Sequence, residues 1–71
     1  MEMKMGDLIK TTVEKTTYSG NKGDIIIKVG AVGLVCEIYE DGILFVEFDE
    51  DEVGTYCFCE YKTGEYEKYN D

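Results

Sequence analysis

The sequence predicts an all-β fold: one small barrel of about five strands spanning residues 1–71, with its core in 6–69. Three observations carry that expectation. Val32 to Phe48 reads as a β-hairpin centred on Asp41-Gly42. Eight glycines, Gly6, Gly20, Gly23, Gly30, Gly33, Gly42, Gly54 and Gly64, separate short runs rich in β-branched and aromatic residues. No window repeats its apolar residues at the 3.6-residue period of a convincing amphipathic helix.

In chain order, residues 8–17 read as a first strand with Ile9, Thr11 and Val13 on one face. Residues 18–24 form a polar loop. Ile25-Ile26-Ile27 is a short extended run, because β-branched side chains disfavour helix and favour strand. Lys28-Val29-Gly30-Ala31 makes a tight connection into the hairpin. Residues 55–61 alternate, with Thr55, Cys57, Cys59 and Tyr61 on one side and Tyr56, Phe58 and Glu60 on the other. Lys62-Thr63-Gly64 turns the chain, and residues 65–69 read as a last short strand or a single helical turn. Closing these strands into a barrel would hide edges that otherwise invite aggregation.

Two registers compete for the hairpin. A two-residue turn at Asp41-Gly42 pairs Ile38 with Phe45 and Cys36 with Glu47, which puts Glu47 among apolar residues. A three-residue loop with Gly42 in the left-handed conformation pairs Ile38 with Leu44, Cys36 with Val46 and Leu34 with Phe48. The second gathers Leu34, Cys36, Ile38, Leu44, Val46 and Phe48 on an uncharged face. Val35, Glu37, Tyr39, Ile43, Phe45 and Glu47 fall on the other. A one-residue slip exchanges the faces, so burial selects the second register.

A chain of 71 residues suffices for one domain and buries roughly 60% of its unfolded surface. A contact surface is easier to build at that size than a deep enzymatic pocket. The net charge of −9 is unevenly spread: residues 1–28 hold five lysines and four acids, and residues 29–71 hold two lysines and twelve acids. Direct binding of a phosphate backbone needs the opposite charge. A negative face implies a cationic partner, felt over a Debye length of roughly 8–10 Å; alternatively, the acids simply keep a small β protein soluble. Residues 1–5 lack a basic segment followed by an apolar one, and no apolar run is long enough to span a bilayer. With an odd number of cysteines, three, the expectation is a reducing cytoplasm and no membrane.

The chain resembles SH3-like barrels through Gly6-Asp7-Leu8-Ile9, then Lys28-Val29-Gly30-Ala31-Val32-Gly33-Leu34-Val35, then Asp41-Gly42, then Val46-Glu47-Phe48. The SH3-like chain of photosystem I, the variable chain of ferredoxin–thioredoxin reductase and KOW-type domains are similar in that order. The resemblance implies a barrel that docks on partners and carries no catalytic residues. The acidic charge departs from KOW domains and argues against a role on nucleic acid like theirs.

Candidate chemistry is sparse. Cys57 and Cys59 point to one side of a strand about 7 Å apart, and Cys36 could approach them, yet a structural zinc site wants four ligands and histidine is absent. Packing is the simpler reading of the cysteines. Asp49-Glu50-Asp51-Glu52 does not match the spacing of a calcium loop. The run reads as a solvated loop or as a contact patch for lysine and arginine. No nucleophile with a base partner and no phosphate cradle is visible, so neither an enzyme nor a cofactor is expected.

The expected function is a non-enzymatic acidic binder that occupies a basic, nucleic-acid-binding surface of a partner protein. In size and charge it fits phage-type inhibitors, DNA mimics of the anti-CRISPR and anti-restriction kind. Its candidate contact residues are Asp49, Glu50, Asp51, Glu52, Tyr39, Phe45, Glu37 and Glu47. The alternative is an accessory or assembly subunit, or a homodimer, docking through its aromatic face.

Overall fold

The computed structural model describes residues 3–69. Among these residues the chain is all-β apart from one helical turn. Its seven strands are β1 (Leu8–Thr11), β2 (Lys15–Ser19), β3 (Gly23–Ile27), β4 (Val32–Ile38), β5 (Leu44–Phe48), β6 (Cys57–Tyr61) and β7 (Tyr66–Lys68), with α1 (Glu50–Val53) between β5 and β6. Five form an antiparallel sheet in the order β6-β5-β4-β1-β7, and β2 and β3 form a separate hairpin.

The strand expected over residues 8–17 is two strands. Thr12 leaves the ladder after β1, its amide donating to the Glu65 carbonyl (3.0 Å) and its hydroxyl to that of Gly64 (3.2 Å). The chain bends there and carries Lys15–Ser19 out of the large sheet. Buried Thr11 anchors the return of the chain: its hydroxyl donates to Lys28 O, and its carbonyl accepts from Gly30 N. Gly30 meets the tight connection with φ +96°, a conformation costly for a side-chain-bearing residue. Residues 65–69 settle as strand, with β7 paired to β1.

The large sheet does not close by hydrogen bonding, because β6 and β7 stand at its two ends unpaired with each other. The β2–β3 hairpin protects the β6 edge through side chains. Thr17 Oγ1 donates to Phe58 O and Lys15 Nζ to Glu60 O, both at 2.9 Å, and Ser19 Oγ lies 3.4 Å from Thr55 Oγ1. Alternate carbonyls on the outer side of β6 thus find partners without a further strand. Lys15 also pairs with Glu65 (2.7 Å) and lies 4.8 Å from the centre of the Tyr61 ring.

The core comprises Ile9, Ile27, Ala31, Val35, Leu44, Val46, Phe48, Cys57 and Tyr61. The Tyr61 hydroxyl is buried without a hydrogen-bond partner among the described residues, and burial drives its pKa far up.

The hairpin expectation holds for its turn and for β5 and fails for most of β4. Gly42 has φ +87°, its amide donates to Tyr39 O, and Ile38 pairs with Leu44. Leu44, Val46 and Phe48 are buried together. Beyond Ile38 the register shifts between Val35 and Glu37, where Cys36 is the extra residue of a β-bulge. Val35 therefore faces Val46, and Leu34 faces Glu47, in place of the expected Cys36–Val46 and Leu34–Phe48 pairs. Val35 is 1% exposed and Leu34 38%, so Leu34 and Cys36 leave the interior and Val35 enters it. Ile38 keeps its pairing but sits at the end of the ladder, likewise 38% exposed. Gly33 makes the inverted face workable. Without a side chain, it lets Val46 and Phe48 pack directly beneath β4.

Candidate functional site

The outer face of β4, β5 and β6 carries the features expected of a contact surface. Alternation along β5 turns Phe45 and Glu47 outward and along β6 turns Phe58 and Glu60 the same way, with Tyr56, just before β6, packed edge-on against Phe58. Pairing then sets the side chains in rows. One row runs Leu8, Leu34, Glu47, Phe58 across four strands, and the next runs Glu37, Phe45, Glu60 across three. Carboxylates and apolar groups thus alternate across the sheet.

The aromatic rings form a continuous strip. Tyr39 and Phe45 have centroids 6.4 Å apart with planes at 44°, Phe45 and Phe58 stack at 5.0 Å and 10°, and Tyr56 meets Phe58 edge-on at 5.5 Å. Tyr56 remains 52% exposed and Phe58 37%. Offset and edge-to-face pairs of this kind stabilise by about 0.5–1.5 kcal/mol beyond the area they bury.

Glu47 is the centre of the charged part. Its Oε1 accepts from Cys36 Sγ at 3.3 Å, and its carboxylate disfavours ionisation of the neighbouring Tyr56 hydroxyl. Glu47, with desolvation and the negative charge of Asp49, pushes the Tyr56 pKa up to about 12. The Cys36 thiol is pushed up by desolvation and then by Glu47. Tyr39 is pushed up by desolvation, then by Glu60 and Glu37. From Val29 to Tyr61 the chain contains nine acids and no lysine or arginine, so no cation within these strands offsets that field.

The four consecutive acids serve different ends. Asp49 precedes α1, and Gly54, at φ +91°, ends it by donating to Glu50 O. The run is thus a helical turn rather than an irregular loop. Glu52 folds back, its Oε1 accepting from the Val32 amide at 2.8 Å, and so ties α1 to the start of β4. Glu50 and Asp51 stay exposed, and with Asp49 and Tyr56 they line a shallow depression. A groove of about 250 Å³ lies between α1 and the sheet, with Leu8, Val32 and Leu34 in its floor and Glu47, Asp49 and Glu52 around it.

Of the eight sequence-derived candidates, Glu37, Tyr39, Phe45 and Glu47 share the outer face, Asp49 adjoins it, and Glu50 and Asp51 project from α1. Glu52 is committed to a backbone contact. Tyr56, Phe58, Glu60, Leu8 and Leu34 belong to the same surface and were missed as site residues. For three of them the signal was the alternation of residues 55–61 in phase with Phe45 and Glu47; for Leu34 the bulge concealed it.

Among the described residues no three Cys, Asp or Glu side chains converge to hold a metal ion. Cys57 is in the core and Cys59 packs against it, whereas Cys36 turns to Glu47 on the outer face, so the three thiols do not meet. No helix among these residues is long and apolar enough to cross a membrane. No protein-family model matches the chain, and neither the curated proteins nor the solved structures contain a significant match to it.

Proposed function

We propose that the chain is a non-enzymatic, acidic protein-binding module that occupies a basic, nucleic-acid-binding surface of a partner, as phage-type anti-defence inhibitors do. The observation that carries this reading is the outer face of β4–β6, where a strip of four aromatic rings is interleaved with Glu37, Glu47 and Glu60. Aromatic anchors supply contact energy, and the carboxylates supply orientation and a faster encounter with a cationic partner. The absence of histidine from the sequence favours binding over acid–base catalysis, and three unpaired thiols suit a reducing cytoplasm. Under the same proposal the strand order, with a separate β2–β3 hairpin laid along β6, is an SH3-like arrangement.

The test is capture of a partner on the immobilised chain at low and high salt, followed by challenge with duplex DNA. A partner that is released by added salt, displaced by DNA and lost when Glu47, Asp49 and Glu60 are changed to lysine supports the proposal. Capture insensitive to salt and to DNA refutes it.

A second reading, docking as an accessory subunit or as a homodimer, is favoured by the exposed Tyr56 and Phe58 rings. In that case Phe58→Ala weakens association more than charge reversal does, and sedimentation of the chain alone reveals the dimer.

A further inference from the structure

We infer that the outer face selects arginine over lysine on its basic partner, the guanidinium docking against Tyr39 and Phe45 between the carboxylates of Glu37 and Glu60. This inference rests on the acidic-binder reading above and names the side chain that reading leaves open.

Phe45 stands in register with Glu37 on one side and Glu60 on the other. Directly opposed residues of neighbouring strands lie about 5 Å apart at Cβ, so Glu37 and Glu60 are the cross-strand neighbours of Phe45 on this face. Phe58 stacks on Phe45 at 10°, whereas Tyr39 meets it at 44° and does not cover it in the same way. Glu60 and Glu37 both raise the pKa of the Tyr39 hydroxyl, so both carboxylates act on that ring's polar end. Charge complementarity then favours a cation as the occupant, since Val29 to Tyr61 contains none of its own and Lys15, at the β6 edge, is bound to the Glu60 carbonyl and the Glu65 carboxylate.

The choice between cations follows from shape. A guanidinium is planar and weakly hydrated, lies flat on a ring and still directs N–H donors in its plane to carboxylates on either side. An ammonium is compact and strongly hydrated, and gains less from a partly exposed aromatic surface. The two rings, inclined at 44°, and the two neighbouring carboxylates form an acid-flanked aromatic seat, which suits the first better than the second.

The test uses two labelled peptides of equal length and charge, one alternating arginine with serine and the other lysine with serine, titrated against the intact chain by fluorescence anisotropy. The arginine peptide is expected to bind about three- to tenfold more tightly. Tyr39→Leu, which keeps an apolar surface, should bring that ratio close to one, and Glu37→Gln with Glu60→Gln should weaken both peptides. Amide chemical-shift changes should centre on Tyr39 and Phe45, which reads the site directly even if a variant folds poorly. Equal affinity for the two peptides, an arginine preference that survives Tyr39→Leu, or shifts confined to Asp49–Asp51 would each overturn the inference. Those outcomes leave the acidic-binder reading standing, because that reading falls only if partner capture is indifferent to salt and DNA.

Discussion

Substituting Gly33 by alanine probes the inverted face of β4 most directly. An alanine Cβ at this position would lie 2.8 Å from Phe48 Cε1, and nearer still to Val46 Cγ1. Both neighbours are fully buried, and both belong to β5, which is hydrogen-bonded to β4. Neither can retreat without disturbing the ladder or the Phe48–Tyr61 contact at 5.9 Å. Overpacking a tight core costs about 1–3 kcal/mol, and the lack of free space here puts Gly33→Ala near the upper end. A domain of this size has roughly 4–10 kcal/mol in total, and each kcal/mol moves its midpoint by about 4–8 °C. Thermal and urea unfolding should therefore show a loss of about 2–3 kcal/mol and a midpoint lower by about 10–20 °C. Gly20→Ala is the control: no atom lies within 4 Å of its added Cβ and its φ is not positive, so it should change stability by less than about 1 kcal/mol. If Leu34, Cys36 and Ile38 faced the interior instead, Gly33 would face outward and alanine would be neutral or helpful in the strand. A Gly33→Ala protein within about 0.5 kcal/mol of the original would refute the inverted face.

Three further measurements bear on the same structure. Val35→Ala should cost about 1.5–3 kcal/mol by urea unfolding and Leu34→Ala less than about 1, the reverse of what alternation across Cys36 implies. Lys15→Met combined with Thr17→Val removes the ion pair to Glu65 and two hydrogen bonds to β6; a loss of about 2–3 kcal/mol is expected, with more self-association as the β6 edge is uncovered. The Glu65 pKa is lowered by the Lys15 hydrogen bond and by the Lys62 amide. Its contribution is therefore present above the ordinary carboxylate pKa and lost as pH falls through the lowered value. The stability gap between the original chain and Glu65→Gln should be widest near neutral pH and close in acid.

Much of the architecture was legible because it is local. The Gly42 turn, the Ile38–Leu44 pair, the buried side of β5 and the alternation of β6 all follow from a two-residue period and from turn chemistry. Two features were not legible for one reason, which is that each depends on contacts distant in sequence. The bulge at Cys36 inverts the face of β4, and alternation alone cannot reveal an inserted residue. The break after Thr11 is held by Gly64 and Glu65, more than 50 residues away, so residues 8–17 read as one strand. The candidate site shared this limit. Its β5 members were found, while Leu34 was assigned to the core and Tyr56 and Phe58 were seen as one face of a strand without a neighbour to join.

The position of Cys36 offers a last way to decide whether the acidic face is organised for contact or merely soluble. Carboxylates kept only for solubility would be free to point into water. Glu47 is instead half-buried, accepts from Cys36 Sγ at 3.3 Å and raises the pKa of the neighbouring Tyr56, so its charge lies against the aromatic strip. Burial first, and then this carboxylate, raises the Cys36 pKa, which keeps a partly accessible thiol protonated and slow to alkylate. Replacing Glu47 by glutamine removes the negative charge while keeping the shape. The rate of Cys36 alkylation in mildly alkaline buffer, followed by mass spectrometry, should then rise, with buried Cys57 as the unaffected reference. Added salt should accelerate Cys36 less than this substitution does, because a fixed neighbour at contact distance is poorly screened. If salt alone reproduced the effect, the carboxylate would be acting as diffuse surface charge, and the preorganised alternation of acid and ring on this face would lose its basis.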